Sequence, residues 1–95
     1  MFVLLQLYPP EAADRVERDC LDVIAVGSLV QVEEFLEAYE PRYLAACHEF
    51  TEWDKGTSDD WTSEHERKME ELARWHGVCG ALIPGTQFRI LERLA

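Results

Sequence analysis

The spacing of apolar positions changes several times along this chain. Phe2 to Tyr8 is apolar except for Gln6 and ends at Pro9-Pro10. A run that short, stopped by two prolines, predicts a buried strand. Beyond it, Ala13, Val16, Cys20 and Ile24 recur at helical spacing. Pro10-Glu11 suits a helix's first turn, and Gly27 suits its end. A helix is therefore expected over 10–27, with Val23–Val26 a short strand as the alternative reading of its C-terminal half.

Ser28-Leu-Val-Gln31 has the residues of a capping box, in which serine and glutamine each satisfy the other's backbone amide. Val32, Phe35, Leu36 and Tyr39 form the apolar face of a helix that follows this cap. Pro41 resists continuing a straight helix but can open a new one, so a separate helix with the stripe Tyr43, Leu44, Cys47 and Phe50 is expected after it. Lys55-Gly56-Thr57 is a break. Ser58, Asp59 or Ser63 then caps a last helix whose stripe is Trp61, His65, Met69, Leu72, Trp75 and His76, ending at Gly77 or Gly80. Ile83-Pro84-Gly85-Thr86 places proline and glycine as a type II turn requires. Phe88–Leu94 alternates partially, and predicts a strand that pairs with Val78–Ile83 as a hairpin. The N-terminal strand needs partners for its backbone, and the hairpin supplies them. The expected fold is α+β, a single small domain spanning 1–95. About four helices pack on a short sheet made by an N-terminal strand and a C-terminal hairpin.

Ninety-five residues, 47% hydrophobic and 29% charged, make one folded domain rather than a disordered chain. No run of about 18 apolar residues spans a membrane, and the N-terminal run lacks the basic start of a signal peptide. Cys20, Cys47 and Cys79 are odd in number and widely spaced. They read as reduced thiols of a cytoplasmic protein rather than a disulfide framework. Arginine outnumbers lysine seven to two, a weak pointer to a GC-rich bacterial or phage genome.

Catalytic and metal signatures are missing from the sequence. His48-Glu49-Phe-Thr-Glu52 begins like a zinc-protease motif but has glutamate where the second histidine must ligate. Cys47, His48, His76 and Cys79 are the remaining candidates for a metal. Cys47 and His48, however, are neighbours that point about 100° apart on a helix. No Gly-x-Ser-x-Gly or phosphate-binding glycine loop occurs. The expectation is no enzyme, no metal and no cofactor.

The charge is the informative feature. Nineteen acids against nine bases give a net charge of −10, which repels nucleic acid and anionic membranes. Residues 1–32 carry net −3, residues 33–66 net −9, and residues 67–95 net +2. Most acids at 11–22 and 64–74 have bases three or four residues away, the spacing of stabilising helical pairs. Glu33, Glu34, Glu37, Glu40, Glu49, Glu52 and Asp54 have almost none. Asp59 and Asp60 extend the acidic stretch. Trp53 and Trp61 flank it as candidate anchors, and Tyr39 and Tyr43 bracket Pro41 in the same zone.

These acids and tryptophans are the expected partner-binding residues of a small acidic interaction module. In character the chain is similar to nucleic-acid mimics such as anti-CRISPR proteins, whose carboxylates stand in for phosphates. That resemblance implies an inhibitor covering the basic, nucleic-acid-binding surface of a protein or ribonucleoprotein complex. Acid excess that serves only solubility explains the same composition. An immunity protein or antitoxin against a basic nuclease toxin fits the same surface. So does a housekeeping subunit that dimerises through an exposed strand edge.

Overall fold

A computed structural model describes residues 1–9, 21–57, 60–79 and 81–93. Three strands and two helices are formed among them: β1 (Phe2–Leu7), β2 (Leu21–Gly27), α1 (Leu29–Asp54), α2 (Ser63–His76) and β3 (Gln87–Glu92). The chain divides into two compact units, Met1–Tyr39 with Gly85–Ala95, and Glu40–Pro84.

The first unit is built on an antiparallel sheet in the order β2-β1-β3. β1, the most apolar strand, takes the centre, where both edges of its backbone find partners. Its pairing with the C-terminal strand is as expected; its pairing with 21–27 replaces the expected helix there. Val23, Ile24 and Val26 are β-branched, which favours a pleated surface over a helical turn. Any helix confined to 10–20 lies outside the described residues. The register of β1 against β2 shifts between Leu4 and Leu5, which oppose Ala25 and Val23. Ile24 is the extra residue of this bulge, and it re-phases the strand so that Leu21, Val23 and Val26 all face the same side.

The inner face of the sheet carries a buried polar chain. Gln6 is fully buried, Tyr39 is 3% exposed and Tyr8 6%. Tyr39 donates its hydroxyl proton to Gln6 Oε1 at 2.8 Å, Gln6 Nε2 donates to the Tyr8 hydroxyl at 2.8 Å, and Tyr8 donates to Asp22. Tyr39 also meets Phe88 of β3 edge-on. The first turns of α1 thus lie on β1 and β3 with their polar groups matched, a condition for a buried network to stabilise rather than cost.

The expected capping box starts α1. Ser28 N–H donates to Gln31 Oε1 at 3.0 Å, and Gln31 N–H to Ser28 Oγ at 3.2 Å. The two helices expected over 28–54 are one, with Pro41 inside it. Proline removes one helical hydrogen bond, at a cost of about 3 kcal/mol, but its φ suits a helix. Buried residues on either side, Val32 and Tyr39 in the first unit and Tyr43, Ala46 and Phe50 in the second, hold both halves helical. The described residues therefore contain two helices, not about four.

In the second unit, the described residues of 78–83 do not form the expected strand. Ala81, Leu82 and Ile83 are buried without strand pairing. A side chain satisfies their backbone instead. The Tyr43 hydroxyl donates to Ala81 O at 2.8 Å, has Ile83 O at 3.2 Å, and accepts the Ile83 N–H at 2.8 Å. Pro84-Gly85 does form a turn, with Gly85 at φ 88°, but it leads from this irregular segment into β3 rather than closing a hairpin. Thr62, not Ser58, Asp59 or Ser63, is the N-cap of α2. Gly77, at φ 70°, ends that helix as expected, donating to Arg74 O while Val78 N–H reaches Ala73 O.

Candidate interaction surface

The acidic residues fall into two groups with different surroundings. Glu33, Glu34 and Glu37 stand exposed on α1 in the first unit. Among the described residues they are in no ion pair. Glu33 and Glu37 are four residues apart and Glu34 and Glu37 three, so like charges face one another along a helix. The side of α1 that turns inward there is marked by Val32 and Tyr39, and Phe35 stacks on Tyr39 with ring centroids 5.3 Å apart.

The acids of the second unit are more engaged. Glu52 accepts from Lys55 Nζ at 2.7 Å, and that ammonium holds its carboxyl below the usual carboxylate range. Glu49 reaches His76 Nε2 of α2 at 3.1 Å. Asp54 is tied into a polar cluster. Glu40 is half-buried and Asp60 exposed; Asp59 lies outside the described residues. Glu49–His76 and Asp54–His65 join residues far apart in sequence, so helical spacing could not reveal them.

His65 is the centre of the Asp54 cluster and is 3% exposed. Thr62 N–H donates to its Nδ1 at 3.1 Å. The proton is therefore on Nε2, which donates to Asp54 Oδ1 at 2.9 Å and has Thr57 Oγ1 at 3.1 Å. Asp54 sits at the C-terminal end of α1, where a carboxylate meets the negative end of the helix dipole. Hydrogen bonds from His65 and Thr57 offset that. The cluster fastens the loop between the helices at both ends, a structural role that the helical stripe alone did not reveal.

The expected anchors Trp53 and Trp61 build the walls of this cluster. Trp61 stacks on the His65 ring at 5.1 Å and Trp53 meets it edge-on at 5.2 Å. Both also touch Phe50, and both are half-buried. Among the described residues Trp61 Nε1 is buried with no hydrogen-bond partner. Tyr39 and Tyr43 likewise turn their hydroxyls into their own units rather than towards the acids.

The tryptophan that does face solvent is Trp75, 82% exposed. Helical spacing puts it in the buried stripe of α2, and the structure does not. At about 100° per residue it lies roughly 80° round the helix from His65, on the side away from the buried Ala73. Trp75 lines an open groove of about 490 Å³ with Glu49, Lys68, Glu71, Leu72 and Arg74. An exposed tryptophan beside a buried leucine floor has the composition of an interface anchor.

Cys47 is buried, and burial pushes its thiol up to about 11 against a hydrogen bond with Tyr43 that acts the other way. Cys79 is exposed, and neither is in a disulfide. Among the described residues, no three histidine, cysteine or acidic side chains come together to hold a metal. No helix there is long and apolar enough to cross a membrane. Comparison with protein-family models, with curated proteins and with solved structures finds no match to this chain.

Proposed function

We propose that this chain is a protein-interaction module that acts by binding, and that Glu33, Glu34 and Glu37 dock on a basic surface of its partner. The observation that carries this reading is the lack of compensation at these three carboxylates. They are exposed, alike in charge and in helical contact, while Glu49, Glu52 and Asp54 in the same chain are matched internally. Lysines and arginines of a partner relieve such repulsion on binding, steer its approach and make it sensitive to salt. A basic groove that otherwise holds DNA or RNA is the surface with the required charge. The partner is accordingly a nuclease or a ribonucleoprotein complex, and the chain its inhibitor in the cytoplasm of a bacterium. In the second unit, Trp75 replaces Trp53 and Trp61 as the anchor available to a partner.

The test uses purified basic nuclease toxins and RNA-guided nuclease complexes, assayed for cleavage with and without the chain. Inhibition that weakens as salt is raised from about 50 to about 300 mM is expected. The triple reversal Glu33→Lys, Glu34→Lys, Glu37→Lys removes it, whereas reversal of Glu64, Glu66 and Glu70, exposed on α2 and outside the Trp75 groove, leaves it intact. Equal inhibition by the two triple variants sinks the proposal and leaves the acids a role in solubility.

A further inference from the structure

Among the described residues, the sheet of the first unit has one face covered and one with its flanking strands exposed. The inner face, with Leu4, Gln6 and Phe88, lies under Tyr39 of α1. The outer face follows from the register, since directly opposed residues project to the same side. Val26 opposes Val3, Val23 opposes Leu5, and Leu21 opposes Leu7. On the other flank Leu91 opposes Val3, Arg89 opposes Leu5 and Gln87 opposes Leu7. Leu21, Val23, Val26 and Leu91 are 40%, 55%, 52% and 44% exposed. An antiparallel sheet with one solvated face normally presents polar residues there; this one presents Val and Leu in every row. The bulge at Ile24 strengthens the pattern, because without it Val26 would turn inward.

We propose that this outer face is where a second copy of the chain docks, sheet on sheet. Three things on the face select that occupant. Every outward position of β1 and β2 is Val or Leu and Leu91 extends the patch onto β3, so a copy of itself is a complementary surface. It carries no carboxylate among its described residues, so two chains of net charge −10 can meet there without bringing acid against acid. And its one cation within the strands, Arg89, lies on β3 at the edge. A two-fold axis running along the strands sets β3 of one copy over β2 of the other. Arg89 then sits at the rim, its stem over Leu21 and Val23 and its guanidinium in water. Three strands about 4.8 Å apart and six residues long give a face of roughly 14 by 20 Å. That is smaller than the ~800 Å² a partner of a stable complex buries, so the dimer is weak and concentration-dependent.

This interface does not use Glu33, Glu34 or Glu37 and stands independently of the proposed function. Sedimentation equilibrium on the full chain between about 5 and 500 µM tests it. The weight-average mass is expected to rise from monomer towards dimer, and to rise further in sodium sulfate, which strengthens apolar burial. Val23→Lys with Val26→Lys should weaken association at least a hundredfold with unchanged circular dichroism. If that variant fails to fold, Leu91→Lys on the opposite edge strand is expected to weaken association at least tenfold. A wild-type chain that stays monomeric throughout overturns the proposal. So does association that sulfate weakens, or that the folded variants leave unchanged.

Discussion

Single side chains in this protein hold backbone that regular structure leaves over. Tyr43 is the clearest case, since its hydroxyl serves Ala81 and Ile83 in place of the expected strand ladder. Tyr43→Phe keeps the ring and removes those bonds. A loss of about 2 kcal/mol is expected, read as a Tm roughly 8–16 °C lower for a chain this size. Gln6 and Tyr39 form a comparable pair in the first unit. Gln6→Leu and Tyr39→Phe each destabilise, and the double variant loses less than the sum, because removing both partners is gentler than stranding one. Cys47 sets an alkaline limit. Its folded pKa, about 11, exceeds the ordinary thiol value of 9.0, so the folded state keeps a proton that the unfolded chain gives up. The contribution is whole below about pH 9 and is lost as pH rises towards about 11. Cys47→Ala should flatten the fall of Tm over that same window relative to wild type.

At the scale of elements, Pro41 and the bulge in β2 show why local signals gave the wrong boundaries. Pro41 is a sound reason to divide a helix, yet α1 runs through it. The buried residues on both sides outweigh the lost hydrogen bond. Pro41→Ala is therefore expected to stabilise by about 1–3 kcal/mol, measured by urea denaturation; a loss of stability would show that the proline's local geometry is needed. The residues of β2 carry helical spacing only because Ile24 falls four residues after Cys20. Pairing with β1 overrides that spacing. The capping box at Ser28–Gln31 and the cap at Gly77 were legible because each is complete within a few residues. Thr62 was missed because its partner in the box is a histidine, His65, rather than the usual glutamate or glutamine.

For the molecule as a whole, charge is the strongest influence that sequence exposes. A net charge of −10 makes the compact state repel itself. Tm should therefore rise between about 10 and about 200 mM sodium chloride as screening sets in. The triple reversal at Glu33, Glu34 and Glu37 should lessen this dependence, since it removes like charges that face each other on α1. A Tm equally salt-dependent in both proteins would show that these three acids carry no special repulsion. Salt should thus act oppositely on the two proposed surfaces. It is expected to weaken the proposed docking through the acids and to strengthen the proposed association through the apolar sheet face.

By itself the sequence determined the terminal strands, the caps at Ser28 and Gly77, the helix over 63–76 and the acid excess between residues 33 and 66. Each depends on neighbours within one turn of helix or on composition, and such short-range effects survive without knowledge of the fold. Tertiary structure decided the rest. Whether 21–27 was helix or strand depended on β1 being there to pair with it. Whether Pro41 broke a helix depended on what the flanking turns bury, and whether 81–83 formed a strand depended on a hydroxyl 38 residues earlier in the chain. The acids looked alike in sequence, yet only contacts across long separations matched Glu49 to His76 and Asp54 to His65. Those contacts set Glu33, Glu34 and Glu37 apart.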